Sequence, residues 1–175
     1  MRPFLIALFC MLLSAPLVGQ QQKREPLTEK QQDQIEEAGI DPVARVDLYV
    51  KFLNDYCDTI KGLIPRAKSS ARARRIDDEL QDFSALMDEL GDNLDVFSQR
   101  KADLRKSLKG LNESIQHWQA TLRDLPSEPG FELSLKEAVD STNDLTDQAR
   151  EITADQETYF KEHPDEKNQD RAEPK

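Results

Sequence analysis

The amino-acid sequence predicts an all-α protein, and three observations carry that expectation. Between residues 76 and 125, apolar side chains recur at alternating four- and three-residue steps without losing phase. The shorter periodic stretches open on residues suited to cap a helix. Proline and glycine gather between these stretches and leave their interiors almost free of breakers.

The long stripe consists of Ile76, Leu80, Phe83, Met87, Leu90, Leu94, Phe97, Lys101, Leu104, Leu108, Leu111, Ile115, Trp118, Leu122 and Leu125, all apolar except Lys101. A mean period of about 3.5 brings such positions onto a slowly supercoiling seam. Its flanks are charged or polar (Arg75, Gln81, Asp82, Asp88, Glu89, Asp95, Asp103), so the seam is expected to be narrow. Gly91-Asp92-Asn93 weakens the helix without shifting the phase, and no proline lies between Pro65 and Pro126. The expected fold is an elongated antiparallel helical bundle or coiled coil built on one long central helix, roughly 75 Å from end to end. The alternative is a compact up-down four-helix bundle. It forms if the chain turns between Ser98 and Asp103, where Lys101 places a charge on the seam.

The other elements follow in order. Thr28-Glu29-Lys30-Gln31 has the form of a capping box and opens a short helix to about Ala38, stopped by Gly39. Asp41-Pro42 starts the next helix, with Asp as the cap and Pro where a missing N–H costs nothing. Val43, Val46, Tyr49, Val50, Leu53, Tyr56, Cys57, Ile60, Leu63 and Ile64 give this helix a wide apolar face, which Gly62 and Pro65 bring to an end. Ser69-Ser70 offers a cap to the long stripe. After the turn Pro126-Ser127-Glu128-Pro129-Gly130, a weaker stripe runs through Leu135, Ala138, Val139, Thr142, Leu145, Ala149, Ile152, Gln156, Tyr159 and Phe160. Short connections favour antiparallel neighbours. Helix 42–64 should therefore lie on the first half of the long stripe, and helix 131–160 on its second half.

The ends of the chain have different compositions. Arg2, ten apolar residues from Phe4 to Leu13 and a looser stretch ending on the small Gly19 form a signal-peptide pattern over 1–19, with cleavage near Gly19. The apolar run is too short to cross a bilayer, so the mature chain is expected to have no transmembrane helix. Cys10 lies inside that run behind Phe9, which disfavours lipidation. The remaining chain divides into a flexible lead-in with a short helix (20–40), a helical bundle domain (41–161) and a disordered tail (162–175). A periplasmic or secreted location follows.

The full chain carries a formal charge of −10 at neutral pH. Such an acidic balance argues against nucleic acid as a partner, which requires net positive charge. Only Cys57 remains after cleavage, so no internal disulfide can form and the fold must stand on helix packing. Cys57 itself sits on an apolar face, as a small hydrophobe does. His117 and His163 are the only histidines, and neither follows a carboxylate at the spacing used in di-iron bundles. Glu113 and His117 share a helix face, but two ligands on one helix make a poor metal site. No catalytic residue, metal site or cofactor is assigned. Asn112-Glu113-Ser114 fits a glycosylation sequon but falls within a helical stripe.

One local charge anomaly stands out: Arg66, Lys68, Arg72, Arg74 and Arg75 occur without an acidic residue among them. Neutralisation by Asp77, Asp78 and Glu79, or by acidic residues of the neighbouring helix, is one reading. A cationic tip facing an anionic surface is the other, and it would give a weak contact with the cell envelope.

Leu27-Thr28-Glu29-Lys30-Gln31 resembles the L-T-x-x-Q motif of the periplasmic Spy/CpxP chaperone family, small exported all-helical proteins. The resemblance covers five residues, and the family's second copy of the motif is missing. It implies a client-holding or envelope-stress role. The residues themselves favour an exported, non-enzymatic helical interaction or scaffold protein of the cell envelope, binding itself or a protein partner through helix faces. A Spy/CpxP-like chaperone or stress module is the alternative, and a metal-binding or enzymatic bundle the second alternative.

Overall fold

The computed structural model describes residues 25–167, and these form an all-helical bundle. Five α-helices follow one another: α1 (Glu29–Glu37), α2 (Pro42–Leu63), α3 (Ser70–Gln99), α4 (Arg105–Asp124) and α5 (Glu132–Glu162). The signal-peptide segment and the first residues of the lead-in lie outside the described range. The described part of the lead-in packs on α2: Pro26 is buried, its carbonyl accepts from the Tyr56 hydroxyl, and Leu27 rests on the core.

The caps foreseen in the sequence form as drawn. Thr28 and Gln31 close the reciprocal capping box of α1. The Asp41 carboxylate accepts from the N–H groups of Val43 and Ala44, and Ser69 Oγ accepts from that of Arg72. Each satisfies donors that a helix start leaves orphaned.

The long stripe is divided, and this corrects the expectation of one continuous central helix. α3 ends at Gln99 and α4 begins at Arg105, so the compact four-helix arrangement is the one formed. The turn is a Schellman motif without glycine. Lys101 adopts φ 59°, the Ala102 N–H reaches the Phe97 carbonyl at 3.0 Å, and the Lys101 N–H reaches Ser98 at 3.0 Å. Phe97 and Ala102, the pair that makes the motif's apolar contact, are both buried. Asp103 Oδ1 then accepts from the Arg105 N–H and helps start α4. A lysine in the left-handed region gives no breaker signal, so the sequence conceals the turn. All fourteen apolar stripe positions are nonetheless buried, and Lys101 alone is exposed.

The four long helices pack in the order α2, α3, α5, α4 around the core, each touching its two neighbours in that order. α2 lies on α3 and α5 on α4, as expected from the short connections. Folding the stripe adds two parallel contacts, α3 with α5 and α2 with α4. The register of the first is marked by Asp77 with Ser134, Gly91 with Gln148, and Ala102 with Gln156. α3 and α4, though consecutive, lie across the bundle diagonal and meet through core side chains such as Phe83 and Trp118, edge to face at 5.9 Å.

A helix facing two neighbours and a diagonal partner needs more than a narrow seam. Leu86 and Glu79 join the buried face of α3, and Ser107 and Thr121 that of α4. The inner face of α5 mixes small and large residues, with Ala138, Thr142 and Ala149 buried beside Leu145, Ile152 and Phe160. The Thr142 hydroxyl donates to the Ala138 carbonyl one turn back, so that hydroxyl is not stranded. Val139, expected in this stripe, is partly exposed at its edge.

The disordered tail expected from residue 162 also requires correction over its first residues. α5 continues to Glu162, and a 3₁₀ turn spans Pro164–Glu166. His163 stacks on Tyr159, whose hydroxyl donates to the Glu166 carboxylate. The remainder of that tail lies outside the described residues.

Candidate functional site

The five basic residues of the α2–α3 turn do not act as one surface. Arg72 is buried, and its guanidinium donates to the carbonyls of Leu63 (2.9 Å) and Ile64 (3.2 Å) and to Glu128 (3.0 Å). It thereby satisfies the C-terminal carbonyls of α2 and holds the 126–130 loop to them. Glu128 also meets Lys68 at 3.3 Å. Arg75 pairs with Glu79 at 2.6 Å, and Arg66 donates to the Gly62 carbonyl at 3.3 Å. Arg74 is exposed. The same end is closed by Phe131, and Gly130 fits there because a Cβ would stand 2.8 Å from that of Ala73. Arg66, Lys68, Arg74 and Arg75 are thus exposed, with Lys68 and Arg75 each beside a carboxylate, and Arg72 is buried.

A wider feature lies between the parallel helices α2 and α4, a surface groove of about 700 Å³. Grooves between α4 and α5 measure about 520 and 370 Å³. Val50 is half-buried at its base and Leu111 lies fully buried beneath, while Asp47, Asp58 and Glu113 stand along it. Lys51 and Asp55 form an exposed pair at 3.0 Å within α2. Gly110 opens the groove on the α4 side, since a Cβ there would meet nothing within 4 Å. At one end the Trp118 indole N–H donates to Asn54 Oδ1 at 2.7 Å, linking the groove wall to the centre of the core. Sequence reasoning missed this feature. The signal available was the pairing of Gly110 with Ser114 one turn apart, beside Glu113 and His117.

The chemistry-bearing residues are separated. Cys57 is fully buried, and burial, with a smaller contribution from Asp58, pushes its thiol up to about 12, so it stays protonated at neutral pH. His117 lines the α2/α4 groove, and His163 lies against Tyr159. Burial also raises the carboxyl of Glu79, with Arg75 opposing the shift. Asp88 is raised by partial burial and by Asp92. Among the described residues, no group of three or more His, Cys, Asp or Glu is placed to hold a metal ion. Among them, too, no helix is long and apolar enough to cross a membrane.

Thr28 and Gln31 of the L-T-x-x-Q segment are engaged in capping α1, with Leu27 against the core. Asn112 and Ser114 of the sequon lie on α4 and are half-buried. Comparison with protein-family models, curated proteins and solved structures gives no significant match to this chain.

Proposed function

We propose that this protein is an exported, non-enzymatic interaction or scaffold protein of the cell envelope, acting through the outer faces of its helices. The observation that carries this reading is the filling and closure of the bundle interior. Trp118, Phe52, Phe83, Phe131 and Phe160 are fully buried within it. Arg72 with Glu128 ties one end, and Gln156 with the 100–104 turn ties the other. A core packed in this way leaves the surface to meet other molecules. Export is inferred from the signal-peptide pattern over 1–19.

Solution mass combined with chemical cross-linking in native envelope extract tests the reading. A dimer or a recurrent protein partner is the expected result; a monomer that captures nothing would remove it. The same preparation separates the chaperone alternative, which requires the purified protein to suppress aggregation of an unfolded client.

A further inference from the structure

We infer that residues 25–38 form a detachable strap, which opens as one unit while the four long helices stay folded and so uncovers an apolar strip of α2. The inference concerns how the fold moves and holds whatever the outer helix faces bind.

Helix α1 has a single neighbour. It packs against α2 alone among the helices, whereas each long helix is held by two others. Its nine residues are too few to stay helical in water without docking, since isolated helices shorter than about 12–15 residues are marginal. Ile35 is its one buried residue. Two hydrogen bonds pin the ends of the segment. The Tyr56 hydroxyl donates to the Pro26 carbonyl, and the Arg45 guanidinium donates to the Gly39 carbonyl at 3.1 Å. The strap therefore runs antiparallel to α2, from the level of Tyr56 to that of Arg45.

Its seat is loose on the α3 side. A hollow of about 460 Å³ lies there, lined by Thr28 and Gln31 of the strap, Phe52 and Tyr56 of α2, and Arg75 and Asp82 of α3. Within the span between the pins, Leu48, Phe52 and Tyr56 stand one turn apart on α2, with Phe52 buried and the other two half-buried against the core. Release of the strap gives this strip to solvent.

The hinge lies at 38–41. Gly39 adopts φ 57°, and Ile40 is 58% exposed, so its side chain anchors nothing. Pro42 keeps Asp41 extended at ψ 107°, which prevents α1 and α2 from merging and makes the segment between them the pivot. Opening there gives up the two pins and the contacts of Pro26, Leu27 and Ile35. Global unfolding must instead dismantle a core built on Trp118, Phe83 and Phe131.

Hydrogen exchange resolved by residue tests this on the chain from Gln20 onward. The amides of 31–38 are expected to exchange together, about a hundredfold or more faster than the slowest amides of α3 and α5. Tyr56→Phe removes one pin and should speed exchange in α1 about fivefold, with α3 and α5 unchanged. Ile35→Asp should abolish protection in α1 and leave the emission of Trp118 as in the parent. It should also raise the fluorescence of added anilinonaphthalene sulfonate about twofold or more as the strip is uncovered.

Exchange in α1 no faster than the slowest amides of the bundle would overturn the inference, because the segment would then open only with the whole fold. An effect of Tyr56→Phe spread equally over α3 and α5 would overturn it too. So would dye fluorescence in Ile35→Asp equal to the parent's. A bundle that unfolds in Ile35→Asp would make α1 an integral part of the core and contradict its detachment.

Discussion

The backbone N–H of Leu104 donates to the side-chain carbonyl of Gln156 at 2.8 Å, and the same amide donates to the Ala102 carbonyl at 2.7 Å. All three residues are buried. One α5 side chain thus satisfies both backbone groups that the α3–α4 turn exposes to the core. Gln156→Leu is expected to strand both and lower stability by about 2–4 kcal/mol, measured by urea unfolding. Gln156→Glu keeps an acceptor for Leu104 but loses the donor to Ala102 when ionised. It should therefore be less stable than the parent at neutral pH and recover as acid protonates the carboxyl. Unfolding midpoints equal to the parent in both variants would contradict this role.

Lys101 occupies the left-handed region at φ 59° and places its ammonium 5.2 Å from the centre of the Tyr159 ring. Glycine there relieves roughly 1 kcal/mol of strain but forfeits a cation–π contact of about 0.5–1 kcal/mol. Lys101→Gly should be neutral or slightly stabilising, and Lys101→Val destabilising by about 1–2 kcal/mol. Thermal midpoints in the reverse order would mean that the turn is not held in this conformation.

Arg72 and Arg74 are neighbours in the sequence and opposites in the structure. Arg72→Ala leaves two helix-terminal carbonyls without their donor and Glu128 with Lys68 alone, at a cost of about 3–5 kcal/mol. Arg74→Ala should change stability by no more than about 0.5 kcal/mol. Chemical denaturation of the two variants tests the assignment. It also restricts charge reversal at the cationic tip to the exposed Arg66, Lys68, Arg74 and Arg75, because reversal at Arg72 would report on folding.

The contrast shows how far the sequence was legible. Helix class, the caps at Thr28, Asp41 and Ser69, and the burial of the long stripe all follow from local pattern. Local pattern is decided by residues a few positions apart. The turn at Lys101 was hidden because the stripe keeps its phase across it, and because the residues that hold it are a non-glycine in an unusual conformation and a glutamine more than fifty positions away. The partition of the basic cluster was equally hidden: Arg72 is decided by Glu128 and by the end of α2. The α2/α4 groove depends on which helices become neighbours, and that in turn follows from the concealed turn.

Glu79 gives the bundle a pH-dependent term. Burial raises its carboxyl above the ordinary 4.5, with Arg75 opposing. A carboxyl raised on folding favours the folded state when protonated. Its contribution is complete below that ordinary value and is lost as pH rises through the raised one. Glu79→Gln cannot ionise, so its stability relative to the parent should improve as pH rises from about 4.5 through the raised value and then level off. The lost bond to Arg75 adds a constant offset. A stability difference that is flat with pH, or that moves the other way, would show that Glu79 is not held in this environment.

The central structural claim is that the stripe through residues 76–125 folds back on itself at Lys101. Spin labels at Arg74→Cys and Asp124→Cys, in a chain carrying Cys57→Ala, measure this directly by pulsed electron paramagnetic resonance. In the bundle both labels lie at the end where Arg72 meets Glu128, so their separation should be no more than about two helix diameters, roughly 25 Å. A continuous helix would place them roughly 75 Å apart, and a distribution centred near that distance would contradict the fold.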